Sequence, residues 1–358
     1  MTQACDLACL HCRASAQPSR DRRELSTNEA KQLMDKIRTM GPPLFVLTGG
    51  DPLKRPDTIS LVDYGTSIGL RVALTPSGTP LMTRGVLVSL RDAGLARLAV
   101  SLDGSTAAIH DRFRGVSGSF DWSVRMLHTA REIGLSTQVN TTISTDNIDD
   151  LEPLITLMGE MDITLWSVFV VVPMGRGNVA QLPGADALER VFNRLYDVSK
   201  TTSFDIKSTA APHFRRVVLQ RQRAERRAAN ATGALADSSD GIGRARGVND
   251  GNGFVFVSHR GDIYPSGFMP VSAGNVRTHD LGDVYRGDPL FQSLRNADLL
   301  EGKCGACEYR WICGGSRSRA YALTGNPFAA DPLCAYVPPA FERLAEQGNA
   351  LHSGGTAA

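Results

Sequence analysis

What the sequence lacks narrows it first. No apolar run in the 358 residues approaches the roughly 18 that a membrane helix needs, so no membrane partner is expected. Lys+Arg 39 against Asp+Glu 37 leaves a net charge of +2, without the basic excess of a dedicated nucleic-acid binder. The opening MTQACDLACLHC has neither the basic region nor the apolar stretch of a secretory signal, so a cytoplasmic, reducing location is expected. Between Cys12 and Cys304 there is no cysteine at all. The seven cysteines instead form two groups: Cys5, Cys9 and Cys12, then Cys304, Cys307, Cys313 and Cys334. A disulfide framework calls for an even count in a short secreted chain. Thiols grouped by three and four in a reducing compartment point to metal or iron–sulfur ligation. Hydrophobic residues at 42% and charged residues at 21% are an ordinary globular balance.

From residue 24 to about 207, strand-like and helix-like segments alternate. Ser26 and Glu29 form a capping box opening a helix that Gly41 stops. Strands are predicted at 44–48, 70–75, 97–102, 136–142 and 163–172, with helices after Pro56 and at 84–93, 119–133 and 149–160. LFVLT at 44–48 is apolar throughout, as a strand covered on both faces should be. Strand starts recur every 26–40 residues, the length of a βα unit. The fold class is therefore α/β with a parallel sheet, either open and doubly wound or a barrel. We divide the chain into a βα part at 1–230, a Gly-, Ala- and Ser-rich linker at 231–253, a loop-rich C-terminal domain at 254–347 and a disordered tail at 348–358. FVFVSHRGDIYP reads as a β-hairpin around Gly261.

Three thiolates in one loop are one short of a closed zinc shell. On a 4Fe–4S cluster they leave one iron open for an outside ligand. His11 is the fourth ligand that a zinc reading would need. Cys5-x3-Cys9-x2-Cys12, followed some 36 residues on by Thr48-Gly49-Gly50-Asp51-Pro52, resembles the radical S-adenosylmethionine (SAM) superfamily. The resemblance implies that the three cysteines hold a 4Fe–4S cluster. Its open iron chelates SAM, whose reductive cleavage yields a 5′-deoxyadenosyl radical. An electron donor such as flavodoxin or ferredoxin is implied as well. Gly49 and Gly50 would let backbone carbonyls reach the SAM amino group. Asp51, Ser101, Asp103, Arg114 and Asn140, all near strand ends or in HDRFRG, complete the SAM set that the resemblance implies. It further implies a partial barrel of six parallel strands whose first strand precedes the cluster loop. Only five strands are counted, and only four residues precede Cys5, so a strand is expected upstream of Met1.

The second group, Cys304-x2-Cys307-x5-Cys313-x20-Cys334, supplies four thiolates, enough for an auxiliary 4Fe–4S cluster or for a four-cysteine zinc site. Its surroundings resemble the SPASM/twitch extension of radical SAM maturases, closest in pattern to the haem-biosynthesis branch of haem d1 maturases and iron-coproporphyrin decarboxylases. Ser266 stands where full SPASM domains use a further cysteine, which implies one auxiliary cluster. Between the two groups, residues 213–227 carry six Arg. At about 100° per residue Arg215, Arg216, Arg223, Arg226 and Arg227 share an arc of about 120° opposite Phe214, Val217 and Val218. This stripe is either a solvated face or a carboxylate reader. In the second reading His213, Arg215 and Arg216 meet the substrate at the barrel mouth. The expected function is reductive SAM cleavage to modify a carboxylated substrate of tetrapyrrole type. A maturase for a ribosomally made peptide and a zinc-stabilised nucleic-acid binder are the alternatives.

Overall fold

The computed structural model describes residues 1–232 and 247–344. The linker assigned to 231–253 lies largely, and the tail at 348–358 wholly, outside them. Strands β1 (Phe45–Leu47), β2 (Val72–Leu74), β3 (Arg97–Ser101), β4 (Thr137–Ile143), β5 (Leu165–Val170) and β6 (Asp205–Thr209) form one parallel sheet in chain order. Each strand is joined to the next through helix: α1 (Thr27–Met40) precedes β1, and α2 (Thr58–Ser67), α3 (Arg84–Asp92), α4 (Ala107–Arg114), α5 (Ser119–Glu132), α6 (Leu151–Glu160) and α7 (Ala185–Ser199) fill the crossovers. A parallel sheet in sequential order with all helices on one face curls into a half-barrel. The capping box of α1 forms as expected, with Gly41 left-handed at φ 66°.

Period-2 alternation decides which side chains meet the helices and which meet the hollow. Val139, Ile143, Trp166, Val168 and Val170 join the main apolar core with Leu61, Leu90, Leu127, Leu154 and Phe192. Gln138, Asn140, Thr142, Ser167 and Phe169 therefore face the other way, into the interior. The five-strand count needs correction: among the described residues the parallel sheet has six strands, and the one overlooked is β6, on the edge opposite β1. Only Ile206 of β6 packs on the core, so its sequence shows no apolar alternation.

After β6 comes α8 (His213–Thr232). Strands β7 (Phe256–Val257) and β8 (Ile263–Tyr264) form the expected hairpin. Four short helices follow, α9 (Leu281–Gly287), α10 (Pro289–Leu294), α11 (Gly302–Gly305) and α12 (Arg317–Thr324). The hairpin turns back onto the N-terminal segment. Leu25 N–H donates to His259 O (2.8 Å), Arg277 pairs with Glu29 (2.5 Å), and Arg260 pairs with Asp21. Among the described residues no helix is long and apolar enough to cross a membrane.

Candidate active site: two cysteine centres and a cavity between strand ends

Residues 1–4 run beside the chain leaving β1. Gly50 N–H donates to Thr2 O (2.7 Å) and Asp51 N–H to Ala4 O (2.6 Å). A Cβ on Gly49 would lie 2.3 Å from Thr2 O, and one on Gly50 2.3 Å from Ala4 O. The glycine pair thus admits the segment leading into the cysteine loop, a close approach that no side chain allows.

That loop is held from two further sides. Ala8 and Leu10 N–H groups donate to Arg114 O and Phe113 O at the end of α4. Beyond β5, Arg176 Nε donates to Cys9 O (2.9 Å) and its backbone N–H to Cys12 O (3.0 Å). Cys5 and Cys9 are buried and Cys12 is half-buried; all seven cysteines are free thiols. Burial pushes the Cys5 and Cys9 thiols up, opposed at Cys5 by a hydrogen bond with Ser77 and at Cys9 by the Arg114 guanidinium. Each sulfur has a donor: Leu7 N–H at Cys5 (3.4 Å), Arg114 Nη1 at Cys9 (3.8 Å) and Ala16 N–H at Cys12 (3.4 Å). Buried thiolates need such donors, so the set fits an anionic cluster. His11 does not join it, stacking on Phe113 at 4.2 Å.

Beside Cys5 opens a cavity of about 540 Å3 including its open mouth. Gly49, Gly50, Ser101 and Arg114 line it. Asp51, Asp103 and Asn140 do not. Asp51 is fully buried, accepting from Thr79 Oγ1 (2.9 Å) and Leu53 N–H (3.1 Å), so it shapes the turn after the glycines. Asp103, also fully buried, accepts from Thr142 N–H (2.7 Å) and pairs with Arg114. Asn140 faces the barrel hollow, accepting from Gln138 (2.6 Å). Sequence reasoning missed Arg13, Ser77 and His110, which also line the cavity. Ser77 follows β2 as Gly49 and Gly50 follow β1. His110 lies one helical turn before Arg114, a spacing that could have found it. Burial lowers the His110 imidazole to about 3, leaving Nδ1 free to accept the Asp103 N–H (3.0 Å).

The second group lines its own cavity. Cys304, Cys307, Cys313 and Cys334 face it together with His213, Arg216 and Tyr336. Donors again reach the sulfurs: Asp331 N–H to Cys304 (3.4 Å), Tyr309 N–H to Cys307 (3.4 Å) and Gly315 N–H to Cys313 (3.5 Å). Burial pushes Cys307 up to about 11. Among the described residues no three His, Cys, Asp or Glu side chains converge on one ion position. Ser266 is buried and hydrogen-bonds Ser318 (3.1 Å).

The arginine stripe divides in two. Arg223, Arg226 and Arg227 are exposed, but the first turns of α8 are packed nearly all round. Arg216 does grip a carboxylate, that of Glu189 on α7, through Nη1 (2.8 Å) and Nη2 (2.5 Å). His213 stacks on Phe192 and lies 3.2 Å from Asp331, which Arg319 engages at 3.0 and 2.6 Å. The expectation that His213 and Arg216 stand at the barrel mouth is corrected: both are buried against the second cysteine centre. Arg215 lies within 3.5 Å of Val248 O.

A family model described as the radical SAM superfamily matches residues 1–158. An AdoMet-dependent heme synthase of Oleidesulfovibrio alaskensis is 39% identical over 96% of this chain and 88% of that protein. The chain belongs to the radical SAM superfamily. A mycofactocin maturase of Mycobacterium tuberculosis is 31% identical over 99% of this chain and 87% of its own length. The crystal structure of Streptococcus suis SuiB bound to S-adenosylmethionine superposes with a TM-score of 0.72. It covers 94% of this chain and 76% of that one at 16% identity, a likeness of fold. Membership of the radical SAM superfamily implies a 4Fe–4S cluster and SAM, and a hydrogen-bond donor reaches each sulfur of the three-cysteine loop beside the cavity.

Proposed function

We propose that this radical SAM enzyme acts on the propionate side chains of an iron tetrapyrrole and carries two 4Fe–4S clusters. Cys5, Cys9 and Cys12 hold the one that binds SAM; Cys304, Cys307, Cys313 and Cys334 hold the auxiliary one. One observation carries the substrate class: identity is 39% to a heme synthase against 31% to a peptide maturase, each across nearly the whole chain. When bound, the first cluster and SAM supply a 5′-deoxyadenosyl radical. The chain's residues bind and orient. Gly49, Gly50 and Ser77 line the end of the cavity beside Cys5, and Ser101 and Arg114 line the wall from β3 and α4. Asp103 fixes Arg114. Converting a propionate to a vinyl group releases CO2, one hydrogen atom and one electron. The hydrogen would go to the radical, and the electron would need a one-electron acceptor, which a cluster held by Cys304, Cys307, Cys313 and Cys334 would supply.

The test is turnover of iron-coproporphyrin by anaerobically reconstituted enzyme with SAM and reduced flavodoxin. The expected product is lighter by one CO2 and two hydrogens per side chain, with one 5′-deoxyadenosine released for each. An unchanged porphyrin, with turnover of a ribosomal peptide instead, would overturn the reading in favour of a maturase.

A further inference from the structure

We propose that Lys207 is the cation that holds a substrate carboxylate inside the barrel. This rests on the carboxylated substrate inferred above. Strand register places four residues in one layer: Ser101 opposite Asn140, Asn140 opposite Ser167, and Ser167 opposite Lys207. Ser101 lines the cavity beside the first cysteines. Lys207 therefore stands three strands away, along an arc of about 14 Å at about 4.8 Å per strand. Its direction is fixed by its neighbours. Ile206 packs on the apolar core, so Lys207 points to the opposite face, the one where Thr209 and Ser167 hydroxyls meet at 3.1 Å.

The described residues give Lys207 no hydrogen-bond acceptor and no counter-ion. Lys207 is itself exposed, while the protein surrounding it and then the Arg97 guanidinium disfavour its charge. A lysine kept for structure has an acceptor, as Lys54 has Asp6, Lys200 has Glu225 and Lys303 has Cys334 O. An exposed ammonium on the inward face of the sheet, repelled by a second cation, is stabilised when an anion arrives. One layer further toward the mouth stands Phe169, opposite Thr209, with its ring 6.3 Å from that of Phe268. The hollow so offers a flat apolar wall beside an unpaired cation, a combination suited to a planar ring bearing carboxylates. An anchor on the wall far from Ser101 also leaves the reacting carbon free to approach the cavity.

The experiment compares two probes, iron-coproporphyrin and its tetramethyl ester, each titrated by absorbance into reconstituted holoenzyme with SAM bound. Lys207→Met should weaken binding of the acid about tenfold or more, the loss of one charge-assisted contact, and leave the ester at the wild-type level. Lys207→Arg should restore most of the acid's affinity. An unchanged affinity of Lys207→Met for the acid overturns the anchor, as does an equal loss for both probes. Wild-type enzyme that binds neither probe overturns the tetrapyrrole reading and the anchor with it.

Discussion

Asp103 and Arg114 show how a site residue can matter without touching the ligand space. Burial raises the Asp103 carboxyl against the pull of Arg114, while Arg114 bridges that carboxylate and the Cys9 sulfur. Removing one partner leaves the other charge buried and uncompensated. Arg114→Met should therefore cost about 3–5 kcal/mol. The double variant Asp103→Asn with Arg114→Met should recover much of that loss. Urea midpoints of the two variants and the wild type decide it, and a wild-type midpoint for Arg114→Met would rule out a structural role for the pair. Both residues were legible from the sequence as members of the site, but their mutual pairing was not, because nothing in SLDG or HDRFRG says which groups will be desolvated together. The glycine pair was legible as a close approach. That the approaching group includes the chain's own residues 2–4 depends on tertiary contact.

Among elements, those with strong apolar periodicity or a cap could be read directly. The capping box gave α1, and the apolar run 44–48 gave β1. Helix α4, with charged HDRFR and no side-chain cap, could not be told from a loop. Strand β6 could not either, because its inward residues Asp205, Lys207 and Thr209 are polar and only Ile206 marks the core. Helix α8 was legible as amphipathic, yet its polar face is not uniformly wet. Phe214, Val217 and Val218 are buried, as is Arg216 at 1% exposure, whereas Arg227 is exposed. Phe214→Ala should cost about 3–5 kcal/mol through the cavity it leaves. Arg227→Ala should stay within about 0.5 kcal/mol of wild type. Equal unfolding midpoints for the two would contradict the packing of this helix.

For the whole molecule the two cysteine centres set a stoichiometry. With both 4Fe–4S clusters in place the chain should carry about eight iron and eight sulfide. Replacing Cys5, Cys9 and Cys12 with Ala should halve both and abolish reductive SAM cleavage. Replacing Cys304, Cys307, Cys313 and Cys334 should also halve them but leave the SAM-binding cluster detectable by electron paramagnetic resonance. Stoichiometric zinc after anaerobic reconstitution would contradict this. The centres are tied through the first loop. Arg13, next to Cys12, donates to Gly267 O (3.1 Å), and its guanidinium carbon lies 4.6 Å from the Phe256 ring centre and 5.6 Å from that of Phe268. Together with the pairs Arg260–Asp21 and Arg277–Glu29, this contact joins the first 30 residues to a segment made some 240 residues later. Protein synthesis adds roughly 5–20 residues each second. The loop bearing Cys5, Cys9 and Cys12 therefore leaves the ribosome about 12–50 seconds before the segment that Arg13, Asp21 and Glu29 contact exists. Throughout that interval the contacts of Arg13, Asp21 and Glu29 with the later segment are missing, so delivery of iron and sulfide to this loop begins before the N-terminal segment is fully fastened.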